Sequence, residues 1–272
     1  MMNNCQSCGS NNTIEFLGSD SSKAIAFFCN ECFLVQVKKS STLDRVETDS
    51  SQPTQREIVE NSKLVDELTA NLNLNEESFV LELVPNQSVL RQFFKDKKID
   101  CVTAKSPIWE VQPSKRDEPF GIEQAWAFIS ASHPISKGRK PDLVIANHIF
   151  SHSHDINEVL EAVMLIMKDG GTLIIDDLYI ESIFEFNNRA DIAKKSDFWF
   201  STHAMAKACE RHGLKVVDAK FLPRENGDPI VKMRWTIQHD HMFSVSPNVI
   251  TILGNEAEAG YASETKYLEF KS

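Results

Sequence analysis

FVLELVPNQSVL, residues Phe79–Leu90, reads as a buried strand (Phe79–Leu83) that runs through a turn into a helix beginning near Ser88. In a doubly wound α/β domain the first such strand–turn–helix lines the crevice where a nucleotide-like cofactor lies. Glycines in that turn normally let the cofactor reach backbone N–H groups and the helix N-terminus. Here Val84-Pro85-Asn86-Gln87-Ser88 contains no glycine. A β-branched residue and a proline stand where free backbone torsions and exposed N–H groups are wanted. The setting is that of a cofactor site, but the chemistry of its turn is missing.

Outward from this stretch the pattern alternates between helix and strand. Ile58, Val65, Leu68 and Leu72 have helical spacing ahead of the strand, and Val89–Phe94 continues as helix after it. A short strand, Ile99–Thr103, and a helix over Glu118–Ile129 follow. Pro141–Ala146 is a buried strand, and NHIFSHSHD then leads into a helix over Ile156–Met167. Lys168-Asp169-Gly170-Gly171 turns into a strand at Thr172–Ile175. A helix at Thr202–His212 ends at Gly213, before strands at Lys215–Phe221 and Ile230–Gln238. Such alternation predicts a mostly parallel sheet covered on both faces, with the last strand pair as an antiparallel edge. Beyond Asp240 the chain carries strand-like pieces and no recognisable chemistry.

The N-terminal segment is of another kind. Cys5-Gln6-Ser7-Cys8 and Cys29-Asn30-Glu31-Cys32 flank two apolar strand candidates joined by GSDSS. Two CxxC pairs at this spacing predict a four-cysteine zinc ribbon, with Cys5, Cys8, Cys29 and Cys32 as ligands. Four thiolates leave no open coordination position, so the Zn2+ is expected to be structural, and so small a unit needs the metal to fold. The resulting division is a zinc module at 1–39, a polar Ser/Thr-rich linker at 40–57, an α/β domain at 58–240 and a tail at 241–272. A net charge of −10 argues against nucleic acid and anionic membranes as partners. The absence of a long apolar run or a signal-peptide core leads us to expect a cytoplasmic protein.

On these residues the chain resembles the sugar C-methyltransferase family, which joins an N-terminal zinc-binding module to a class I S-adenosylmethionine (SAM) methyltransferase domain. The resemblance lies in Met2–Ser10 (MNNCQSCGS), in PDLVIANHIFSHSHDIN at 141–157, in KDGGTLIIDDLY at 168–179 and in FWFSTHAMAKACERHGLKVVDA at 198–219. It implies a Rossmann-like, doubly wound class I methyltransferase-type sheet behind a small four-cysteine zinc ribbon. It also implies cofactor contacts at Glu82, Asn86 and Asn147 and, were the chain active, His152, Asp176 and Tyr179 as candidate catalytic groups.

The chain departs from the family at four places. The first SAM motif, similar to LEIGSNDG in the family, is Leu81–Ser88 (LELVPNQS) here. The acidic ribose contact falls near Ala104, beside Lys105. The family's Glu-His segment is replaced by Ala193–Ser201 (AKKSDFWFS), and the resemblance, which ends near residue 240, leads us to expect no second, sugar-nucleotide half. Together these predict a scaffold without SAM chemistry, a structural or assembly component of a larger complex such as a virion. Its partners would be other protein subunits bound through the linker and the tail. The alternative is a divergent SAM-dependent C-methyltransferase acting on a sugar or other small molecule, with Asp176 or His152 as base. Within the NHIFSHSHD loop, His148, His152 and His154 stand close to Asp155, and Asp176-Asp177 is the best carboxylate pair for general-base work. Cys101 and Cys209 read as packing residues.

Overall fold

A computed structural model of the chain describes residues 4–17, 24–39, 54–84, 89–105, 139–153, 155–186, 192, 195–224, 228–239 and 244–271. The helix expected over Glu118–Ile129 and the turn residues Pro85–Ser88, including Asn86, lie outside the described residues, as does His154.

The centre is a six-stranded sheet. Its strands are β4 (Phe79–Val84), β5 (Asp100–Lys105), β6 (Leu143–Asn147), β7 (Thr172–Leu178), β9 (Leu214–Phe221) and β10 (Lys232–His239), in spatial order β5-β4-β6-β7-β10-β9. The first four run parallel, while β10 is antiparallel to both β7 and β9. All six residues of β4 are buried, as a strand enclosed on both faces requires. The last strand pair is therefore antiparallel as expected, but β10 lies inside the sheet and β9 forms the edge. The sheet is therefore mixed, with a parallel half and an antiparallel half.

One face is covered by α1 (Gln55–Asn71) and α2 (Leu90–Asp96), whose Leu64, Val65, Leu68 and Phe94 pack on Val80, Ile145 and Ile174. Helix α1 begins before Ile58, because Thr54 and Glu57 form a reciprocal capping box. The opposite face carries α3 (Ile156–Ile166), the short α4 (Glu181–Glu185), α5 (Thr202–Glu210) and α6 (Pro247–Ala259), while α7 (Glu264–Lys271) packs against Thr13–Leu17 of the N-terminal unit.

The N-terminal unit is β1 (Thr13–Leu17), β2 (Ala24–Cys29) and β3 (Val35–Lys39), an antiparallel meander. It is stitched to the rest of the chain. β3 pairs with the two-residue β8 (Phe198–Trp199), and Phe28 stacks on Tyr267 of α7 with ring centroids 4.1 Å apart. Contacts thus cross both ends of the expected α/β domain.

The tail is helical, which corrects the strand-like reading. Its β-branched run Val249–Ile252 favours a strand, but Pro247 sits in the first turn of α6 and Gly260 caps it in a left-handed conformation at φ 78°. Val249, Ile252, Leu253 and Glu256 follow the i, i+3, i+4, i+7 spacing of a helix face. No helix among the described residues is long and apolar enough to cross a membrane.

Candidate metal centre and strand-end site

The two CxxC segments fold into matching knuckles. In the first, Cys5 N–H donates to Ser10 O at 2.8 Å and Gly9 N–H to Cys5 O at 2.8 Å. In the second, Cys29 N–H donates to Leu34 O at 3.0 Å and Phe33 N–H to Cys29 O at 2.9 Å. Each knuckle turns through a left-handed residue directly after its second cysteine, Gly9 at φ 74° and Phe33 at φ 64°. Glycine adopts this conformation without strain, whereas Phe33 does so against its preference.

The turns bring all four sulfurs within 4.8 Å of one another, with Cys5 and Cys32 Sγ 3.4 Å apart and Cys8 and Cys29 Sγ 3.6 Å apart. A tetrahedral ion with Zn–S bonds of about 2.3 Å requires S···S edges of roughly 3.8 Å, so the donor set fits such an ion with little adjustment. The thiols also share protons. Hydrogen bonds from Cys32 and Cys5 drive the Cys29 thiol down to about 2, while the Cys29 contact pushes Cys5 up to about 12 and raises Cys32 as well. Four thiolates this close repel one another, and a cation at the centre would offset that charge. The first knuckle is clamped to the helices of the α/β body. Asn157 Nδ2 donates to Gln6 O and Ser7 O at 3.1 and 3.0 Å, Arg211 donates to Ser7 Oγ, and His212 Nε2 lies 3.0 Å from Asn157 Oδ1.

The second candidate site lies at the carboxyl ends of the parallel strands. Glu82, on β4, is wholly buried and accepts a hydrogen bond from Thr103 Oγ1 on β5 at 2.9 Å. Asn147 ends β6 and is paired in register with Asp176 of β7.

Asp176 and Asp177, adjacent in sequence, are separated by strand alternation. Asp176 forms a two-pronged ion pair with Arg234 directly across the ladder on β10, its Oδ1 accepting from Nε at 2.6 Å and its Oδ2 from Nη2. Asp177 points to the opposite face and is fully buried. Its Oδ2 accepts from Ser151 N–H at 2.9 Å, its Oδ1 from Leu178 N–H at 2.8 Å, and its Oδ1 lies 3.7 Å from His148 Nδ1. Burial alone would raise its pKa, but His148 and the Ser151 contacts outweigh this and hold the carboxyl below its ordinary value.

Tyr179 donates to Glu256 Oε1 at 2.9 Å, and burial followed by the Glu256 charge pushes its phenol far above the usual range. His152 is buried in the 3-10 turn Phe150–His152. Asp176 and Tyr179 therefore engage different partners, Arg234 and Glu256. The pair that sequence reading left unassembled is His148 with Asp177. Its signal was the Asp-Asp doublet at a strand end, whose two side chains period-two alternation sends to opposite faces. Cys101 and Cys209 are buried as expected, and burial raises both thiols. Among the described residues, Cys5, Cys8, Cys29 and Cys32 are the one His/Cys/Asp/Glu group that could hold a metal ion. A polar cleft of about 560 Å³ opens at the other end of the sheet, between Asn73, Ser78, Asp142, Lys168 and Thr172.

No protein-family model matches the chain. Over 215 residues, 76% of its length, the chain is 25% identical to the C-methyltransferase NovU of Streptomyces niveus, and it spans about half (49%) of that relative. Among solved structures, it is similar to the 1,6-didemethyltoxoflavin-N1-methyltransferase of Burkholderia thailandensis, bound to 1,6-didemethyltoxoflavin and S-adenosylhomocysteine. That likeness has 13% identity and a TM-score of 0.44, covering 72% of this chain and 93% of that one. An S-adenosylmethionine-dependent methyltransferase structure from Clostridium acetobutylicum gives 12% identity and a TM-score of 0.43, covering 71% and 92%.

Proposed function

We propose that this chain is a SAM-dependent methyltransferase acting on a sugar or other small molecule, with a structural Zn2+ held by Cys5, Cys8, Cys29 and Cys32. The observation that carries the reading is the mouth of the parallel strands. There the buried Glu82, held by Thr103, stands on the strand whose end the resemblance to sugar C-methyltransferases assigns to the cofactor, and Asn147 ends the neighbouring strand. The similarity to a C-methyltransferase supports the same reading. The zinc would supply charge for four thiolates and brace the knuckles, with no part in the chemistry.

One observation favours a second reading. The turn Val84-Pro85-Asn86-Gln87-Ser88 lacks the glycines that let an adenosyl group approach the backbone. On that reading the chain is a zinc-stapled scaffold within a larger protein assembly such as a virion, joined to other subunits through its linker and its C-terminal helices.

Titration calorimetry with SAM and with S-adenosylhomocysteine separates the two. Micromolar binding that weakens at least tenfold in Glu82→Gln supports the methyltransferase. No binding of either ligand at millimolar concentration leaves the scaffold.

A further inference from the structure

We propose that His148 is the acid–base group of the strand-end site and that Asp177 positions it. The inference rests on the methyltransferase reading above and deepens it.

The topology gives the first ground. From β4 the chain moves to β5 on one side and later returns to β6 on the other, so the direction of winding reverses between β4 and β6. In open α/β sheets the ligand crevice lies outside the carboxyl ends of the strands at such a reversal. His148 is the first residue after β6, at the rim of that crevice. The backbone gives the second ground. His148 holds a left-handed conformation at φ 53°, fixed by its N–H donating to Asp176 O at 2.8 Å. A non-glycine residue in this region carries strain, which persists where the surroundings over-determine it. The side chains give the third. Nδ1 faces the buried Asp177 carboxylate at 3.7 Å, which leaves Nε2 on the far edge of a ring that is 23% exposed. Asp177 is itself held by two backbone N–H groups, so its direction is set independently of the histidine.

In this role His148 Nε2 takes the proton of the methyl acceptor as the acceptor forms its new bond to carbon and the sulfonium C–S bond breaks. The products are the methylated acceptor, the thioether and a protonated imidazole, whose charge Asp177 balances. Other charged or titratable groups on the surrounding elements are Asp176, already paired with Arg234, together with His152, Asp155 and Asp197.

Carbethoxylation by diethylpyrocarbonate tests this without knowledge of the acceptor, because the reagent modifies neutral imidazole and mass spectrometry assigns each site. His203 is the internal control: it is comparably exposed, at 25%, and lies against Phe33 and Glu256. Calorimetry first establishes whether S-adenosylhomocysteine binds the wild-type protein. The expected result is binding, with His148 modification slowed at least fivefold by saturating S-adenosylhomocysteine and His203 unaffected. Binding without protection of His148 overturns this inference and leaves the methyltransferase reading standing. Absence of binding removes that reading and this inference with it. In Asp177→Asn, checked for folding by circular dichroism, the ring of His148 loses the carboxylate that orients it, so its protection by saturating S-adenosylhomocysteine should fall at least twofold while binding is retained. Unchanged protection in the folded variant also overturns it.

Discussion

Glu256 offers the sharpest test of how the chain is held together. It lies on α6 at 1% exposure and is surrounded by donors from elsewhere in the chain. Oε1 accepts from Thr202 N–H at 2.6 Å and Tyr179 Oη–H at 2.9 Å, while Oε2 accepts from His203 N–H at 3.0 Å and lies 2.7 Å from His203 Nδ1. The carboxylate thus satisfies two of the unpaired amides of the first turn of α5, where the helix dipole favours negative charge. Glu256→Ala would strand those two N–H groups and the Tyr179 hydroxyl in the interior. Each buried donor left without a partner costs about 1–3 kcal/mol, so the expected loss is about 4 kcal/mol after partial relaxation. For a chain of this size that corresponds to a fall in Tm of roughly 10 °C. Thermal and urea unfolding followed by circular dichroism measure it, with Tyr179→Phe as a control that removes one donor and costs about 1 kcal/mol. A loss for Glu256→Ala no larger than that of the control would refute the reasoning. The same geometry bears on the idea that the tail recruits partners. Deleting residues 241–272 would remove Glu256 and Tyr267 together, so a truncated protein would report on folding before it reported on binding.

Three further predictions follow from the sites. Purified protein should contain about one zinc per chain, released by Cys8→Ser or by lowering the pH as the ligand thiolates protonate; a metal-free protein of equal thermal stability would exclude the structural role. Arg234→Ala should destabilise by about 3–5 kcal/mol because it leaves Asp176 charged and unpaired in the interior, while Arg234→Met with Asp176→Leu should recover most of that in urea unfolding. Asp177 has a lowered folded-state pKa, so its contribution is present above the unfolded value of about 3.9 and is lost as pH falls through the folded value. The acid limb of the stability curve below about pH 4 should therefore flatten in Asp177→Asn, and an unchanged limb would refute the assignment.

Several features could be read from local sequence because their physics is local. Each cysteine knuckle closes within six residues, so the CxxC pairs announced it, and the convergence of two pairs followed from the intervening hairpin. The strands β4, β6 and β7 showed as apolar runs, since a strand buried on both faces has no polar alternation. The tail was legible in its spacing, but its β-branched residues argued the other way, and that propensity gives way to packing.

What the sequence by itself determined is the α/β alternation, the four-cysteine cluster and the glycine-free turn, each written in residues a few positions apart. Only the tertiary structure decided that β3 joins β8, that Asp176 turns to Arg234 while Asp177 turns to His148, and that Glu256 closes the start of α5. Those choices pair residues as much as about 160 positions apart and depend on which strand lies beside which and which face each side chain takes. The physical reason is that a hydrogen bond or ion pair is fixed by neighbours in space, and a strand's period of two says only that adjacent residues part company, not whom each will meet.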